Sequence, residues 1–157
     1  MSYEIRSILY ASDLTPRSPA VFRHAVGLAK KFNAKLHAVT VTLPSSSLPY
    51  EEFLSEEKME EVKLAGHKKA EALLRHRIEV FAEANPELDV KSVLASVRAL
   101  EGDASRRILD VAKHVLADVI VMGSRGHSTI GELLLGSVAH KVTMKADVPV
   151  MLVPIDR

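Results

Sequence analysis

The sequence has no cysteine and no tryptophan among its 157 residues. The first absence excludes a disulfide framework, a thiolate nucleophile and any zinc site of the cysteine type. Any catalysis would therefore use oxygen or imidazole chemistry. Aromatic residues make up only 4% of the chain, too few to supply the stacking platforms on which single-stranded nucleic acids are held. There is also no excess of charge: 21 Lys and Arg stand against 20 Asp and Glu, a net +1. Such a balance provides no field for sequence-independent binding to nucleic acid or to an anionic membrane. No apolar run is long enough to cross a bilayer, since Val115 to Met122 is broken by Asp118 and falls far below the roughly 20 residues required. Met1 to Arg6 lacks a basic region followed by an apolar run. These absences lead us to expect a cytoplasmic protein that does not insert into membranes.

What is present is a hydrophobic share of 47%, enough for one self-sufficient core, so a single domain over 1–157 is expected. Strand and helix patterns alternate along it. Ser7 to Ala11 is a short apolar run closed by Ser12-Asp13, and Thr15-Pro16 and Ser18-Pro19 each offer a cap followed by proline. Val21, Ala25, Leu28, Ala29 and Phe32 then form a helical stripe that stops at Asn33. Lys35 to Thr42 alternates as a strand, and Leu43 to Pro49 reads as a surface loop. Glu51 to Ala84 has the pattern of a long amphipathic helix with a solvated outer face, its apolar side at Leu54, Met59, Val62, Leu73, Ile78 and Phe81. Val90 to Val97 reads as a third strand. Gly102-Asp103 opens a further helix, Asp118 introduces the strand Val119 to Met122, and a short helix over Ser137 to Lys145 precedes a last strand over Pro149 to Val153. Five strands separated by helices must run parallel, with both sheet faces covered. The expected fold is α/β, one small doubly wound domain.

In such folds ligands lie beyond the carboxyl ends of the strands. Three tips qualify: Ser12-Asp13, Val41-Thr42, and the segment from Gly123. The third carries Gly123, two residues, Gly126, nine residues, then Gly136-Ser137. Glycines there let a ligand approach the backbone, and the helix start at Ser137 offers free N–H groups with roughly half a positive charge. A polyphosphate could bridge the amides of Gly123 and Gly126 to those of Ser137 and Val138, with the Ser137 hydroxyl as a further donor and Arg125 as counter-charge. Turn-forming roles remain the alternative for each glycine taken singly. This is not the usual P-loop, because Ser137 stands where its lysine belongs, and no G-x-G-x-x-G follows the first strand.

These residues carry a resemblance to the universal stress protein family over nearly the whole chain. Its marks are Ile8-Leu-Tyr-Ala-Ser-Asp13, Gly102-Asp103, Asp118-Val-Ile-Val-Met-Gly-Ser-Arg-Gly126, Leu135-Gly-Ser-Val138 and Val148-Pro-Val-Met-Leu-Val-Pro154. The spaced glycines ending in Gly-Ser resemble the ATP-binding branch. The resemblance implies strand order 3-2-1-4-5, a homodimer paired through the C-terminal strand 148–153, and ATP with magnesium between the tips of strands one and four. It implies Asp13 at the ribose or near the phosphates and their metal, and the Val41 backbone at the adenine. Gly123, Gly126, Gly136, Ser137 and Val138 would hold the phosphates. Ser12 departs from the Thr or Val of many members and would tune the pocket. His127 would reach the γ-phosphate or lie in solvent.

Asp13 could also cap the following helix, a reading the residues alone leave equal to ligand contact. A phosphoacceptor role is excluded by the want of companion acids, the third strand being read as ending in Ser96-Val97-Arg98. No catalytic base or arginine finger stands out, so at most slow hydrolysis or autophosphorylation at Ser128, Thr129 or Ser137 is expected of a stress-response regulator. The alternatives are a nucleotide-free dimeric interaction module and an enzyme that uses ATP on a small substrate.

Overall fold

The computed structural model describes residues 2–43, 55–124 and 135–154. Its elements are β1 (Ser7–Ser12), α1 (Ser18–Phe32), β2 (Lys35–Thr42), α2 (Glu56–Ala84), β3 (Leu94–Glu101), α3 (Ala104–His114), β4 (Val119–Gly123), α4 (Ser137–Lys145) and β5 (Val150–Val153). The strands form one parallel sheet in the order β3-β2-β1-β4-β5, as the resemblance implies. β1 lies at its centre with all six residues buried.

Because side chains alternate across a strand, the register sorts the sheet into two cores. Ile8 aligns with Leu36 and Val119, and Tyr10 with Ala38 and Val121. This set packs with Val21, Phe22, Ala25 and Val26 of α1 and with Leu74, Ile78 and Phe81 of α2. Leu9, Ala11, Val39, Ile120 and Met122 point the other way, against Ile108, Val111 and Ala112 of α3 and Ala139 and Val142 of α4. Both faces are therefore covered, the condition a parallel sheet requires.

The ends of the elements rest on named groups. Asn33 takes the left-handed conformation after α1 with φ 53°, and the Ala34 amide donates to the Ala29 carbonyl at 2.9 Å. Asp103 caps α3, its carboxylate accepting from the Arg106 amide at 3.0 Å, and the Ser105 hydroxyl, then that amide, hold its pKa below the ordinary value. Asp118 accepts from the amides of Arg6 (2.8 Å) and Ser7 (3.0 Å), which ties the entrance of β4 to that of β1.

Four sequence expectations change. α1 starts at Ser18 with Arg17 before it and no side-chain cap, so neither Thr15 nor Ser18 caps it. α2 starts at Glu56, capped by the Ser55 hydroxyl on the Lys58 amide at 3.2 Å; Glu51 to Leu54 and the loop from Pro44 lie outside the described residues. Its buried stripe is Ala70, Leu74, Ile78 and Phe81, while Leu73 is 40% exposed. β3 begins at Leu94, because Val90 to Ser92 form a 3-10 turn after Asp89, whose φ is 47°. Val90 and Val93 plug the core beneath α2 and are not strand residues of an alternating pair. The third strand thus ends in Leu100-Glu101, not in Ser96 to Arg98, and β2 separates it from β1.

Gly102 follows β3 with φ 135°, and its amide donates to the Thr42 carbonyl at 3.0 Å. A Cβ at this position would meet the Arg107 Nε at 3.0 Å, the same nitrogen that donates to the Glu101 carbonyl at 3.0 Å. Gly102→Ala is therefore expected to cost about 1–3 kcal/mol through backbone strain, read as a lower urea midpoint at unchanged slope.

Tyr10 anchors the interior near the tip of β1. Its hydroxyl donates to the Ser18 carbonyl at 3.3 Å, and burial pushes its pKa from 10.0 up to about 12. The folded state keeps this proton after the unfolded chain has lost it. The stabilisation is whole below pH 10 and is lost as the pH rises through about 12. Urea unfolding in an alkaline series should show a loss of up to about 2–3 kcal/mol over that window, and Tyr10→Phe should flatten it.

Candidate functional site

The direction of winding reverses between β1 and β4, since β2 and β3 lie on one side of β1 and β4 and β5 on the other. Adjacent crossovers that diverge there leave a crevice at the strand tips, where ligands of such sheets bind. Ser12 and Gly123 end the two strands that bound it, and Asp13 immediately follows β1. Val41 sits near the end of β2, half-buried against the α3 side of the core.

The turn after β1 is tightly determined. The Ser12 hydroxyl accepts from the Leu14 amide at 3.1 Å. One carboxylate oxygen of Asp13, Oδ1, accepts from the Thr15 amide at 3.0 Å and from the Thr15 hydroxyl at 2.7 Å. Leu14 between them has φ 59°, a conformation that is costly for a residue with a Cβ. Arg77 of α2 donates from Nη1 to the Thr15 carbonyl at 2.8 Å. Asp13 is consequently fixed in direction by its own turn. It does not cap α1, which begins four residues beyond Leu14 at Ser18.

The described ends of the glycine-bearing segment are held by backbone bonds. The Ser124 amide donates to the Val153 carbonyl of β5 at 3.0 Å, and the Gly136 amide donates to the Ser124 carbonyl at 2.8 Å. Gly136 immediately precedes α4, so these bonds bring the start of that helix to the tip of β4. Gly136 has φ −58° and ψ 150°, angles open to any residue; its lack of a side chain matters for access and not for conformation. The amides of Ser137 and Val138 belong to the first turn of α4, where helix geometry provides no intrahelical acceptor. With the helix dipole they form a place for negative charge.

The structure thus brings Ser12, Asp13, Gly123, Gly136, Ser137 and Val138 to the carboxyl end of the sheet, with Val41 on the neighbouring strand. Arg125, Gly126 and His127 lie outside the described residues, as do Ser128 and Thr129. Thr15, Ser124 and Arg77 were missed by sequence reasoning. The spacing Asp13-Leu-Thr15, an acidic side chain two residues before a donor, is the signal that could have found the first. Arg77 is reached only through the packing of α2. Of the other histidines, His24, His76, His114 and His140 are exposed and His67 is half-buried. Among the described residues no three His, Asp or Glu side chains converge as a metal site, and no helix is long and apolar enough to cross a membrane.

Comparison with known proteins places this architecture. The model of the universal stress protein family matches residues 4–154. Universal stress protein YxiE of Bacillus subtilis is 32% identical over 150 residues, covering 93% of this chain and 97% of that one. The structure of universal stress protein UspA from Lactobacillus plantarum superposes with a TM-score of 0.70 at 22% identity, covering 99% of this chain and 100% of that chain. A universal stress protein in complex with cAMP gives 0.65 at 24% identity, covering 98% and 100%.

Proposed function

The chain belongs to the universal stress protein family, and from that premise we propose that it binds ATP with magnesium between the tips of β1 and β4 and acts as a nucleotide-dependent regulator of the stress response in the cytoplasm. The observation that carries this reading is the bond of the Gly136 amide to the Ser124 carbonyl at 2.8 Å, which sets the first turn of α4 beside the tip of β4. Phosphate oxygens would accept from the Ser137 and Val138 amides and from the Ser137 hydroxyl. Asp13 would reach the ribose or the metal beside the phosphates, and the Val41 backbone would meet the adenine. Arg125, Gly126 and His127 would complete the phosphate side. The complex of the related protein with cAMP supports an adenine nucleotide as the ligand class.

The chemistry expected of this set is retention more than turnover. The groups proposed to meet the phosphates, the backbone amides, the Ser137 hydroxyl, the Arg125 guanidinium and the His127 imidazole, are assigned to stabilising negative charge, and none is assigned as a general base. Hydrolysis or autophosphorylation would be slow. We assign β5, the last strand of the sheet, to antiparallel pairing with a second copy through residues 148–153, which would cover an edge otherwise open to aggregation. Acid denaturation of the purified protein followed by chromatography of the released small molecules tests the reading. Adenine nucleotide at close to one per chain is the expected result. Its absence, together with failure of the stripped protein to take up ATP, would leave a nucleotide-free dimeric module as the better account.

A further inference from the structure

The outermost strand, β3, carries a second polar cluster at a distance from the strand tips. Its pairing with β2 shifts register between Leu36 and His37, so Leu36 aligns with Leu94 but His37 aligns with Ser96. The bulge turns Ser96 to the α3 side of the sheet, where its hydroxyl meets the His37 Nδ1 at 2.7 Å. Arg98 follows two residues later on the same face, aligned with Val39. It is half-buried, and its Nη1 is buried with no hydrogen-bond partner. A guanidinium nitrogen in that position is costly unless a partner arrives.

His37, beside Arg98 on this face, sits among positive charges. His37 is held below its ordinary pKa by burial first, then by the positive charges of Arg98, Lys35 and His114. On the facing helix, Asp110 is paired with Arg107 at 3.6 Å. The aliphatic stem of Arg98 could simply cover apolar surface, but that role leaves the buried nitrogen and the gathering of like charges unexplained. Departures from local rules of this kind concentrate at functional or strained sites.

We propose that Arg98, with His37 set by Ser96, forms a second site on the edge of the sheet that takes an oxyanion, carboxylate or phosphate, independently of the nucleotide site. The planar fork of arginine suits two oxygens of one such group. The site lies on β3, two strands away from β1 and on the other side of it from β4.

The test is a titration of the whole protein with inorganic phosphate and, separately, with acetate, at fixed ionic strength, following the His37 imidazole and the Arg98 side-chain N–H by nuclear magnetic resonance. Saturable shifts at both groups, with a rise in the His37 titration midpoint, are expected. Phosphate acting alone identifies a phosphate-bearing ligand, and acetate acting as well identifies a carboxylate. Arg98→Met should weaken the effect at His37 about tenfold or more while leaving the protein at least as stable, because an unpaired charge is removed. Should that variant fail to fold, Arg98→Lys, which keeps the charge without the fork, should show a weakened but measurable shift. No response of His37 to either anion, or an undiminished response in the variant, overturns the proposal. Phosphate entering at the start of α4 would move the Ser137 and Val138 amides instead, so failure of one site is distinguishable from failure of the other.

Discussion

Gly136→Leu is expected to remove the thermal shift that Mg-ATP gives the stripped protein while leaving the fold intact. The separation of the two effects follows from the backbone. Gly136 has φ −58° and ψ 150°, which leucine adopts without strain, and its amide bond to the Ser124 carbonyl at 2.8 Å survives the substitution. The new side chain instead occupies the approach to the first amides of α4. Charge-assisted bonds of this kind contribute about 1.5–3 kcal/mol each, so loss of one or two weakens binding by about a hundredfold. Native protein at a hundred times its dissociation constant gains about 2.7 kcal/mol from ligand, a shift of several degrees for a domain of this size. A variant that retained the whole shift would show that the phosphates do not approach α4.

The second large effect belongs to the packing beneath the Asp13 turn. Phe22 of α1 is 2% exposed and stands between two rings, Tyr10 of β1 and Phe81 of α2, with both centroid distances 5.0 Å. It touches a ring of the sheet and a ring of the long helix from the first helix. A half-open pocket with a volume of about 20 Å³ already lies beside it, lined among others by Ser12, Arg77 and Ile78. Phe22→Ala adds to that space in a region fixed on three sides. The expected cost is about 3–5 kcal/mol, a large part of the roughly 5–15 kcal/mol by which such domains are stable, and the melting temperature should fall by about 10 °C or more. Phe22→Leu, which refills most of the volume, should cost less than half as much. A loss below about 1 kcal/mol for the alanine variant would contradict the three-way packing.

Much of this architecture was legible in the sequence, and the reasons are specific. Asn33, Asp103 and Asp118 mark element ends because each supplies a backbone conformation or a hydrogen bond that the end requires. The helical stretches between strands dictate parallel pairing. The order 3-2-1-4-5 was available only through family resemblance, because nothing local decides which side of β1 a later strand takes. Leu73 and Leu74 show why the face of α2 was misread. Adjacent leucines lie about 100° apart on a helix, and only the positions of Ile78 and Phe81 in the core against the sheet select Leu74. Val90 and Val93 were read as strand because burial, not pairing, requires them to be apolar. At the site, the strand tips and the start of α4 could be named in advance. The roles of Thr15, Ser124 and Arg77 could not, since each acts through a bond set by tertiary geometry.

ATP is proposed to bind in the crevice between β1 and β4. Calorimetric titration of the stripped protein with Mg-ATP tests it most directly. Saturable binding of one nucleotide per chain is expected, abolished or weakened about a hundredfold in Gly136→Leu. No measurable heat together with an unchanged melting temperature at saturating Mg-ATP would contradict it.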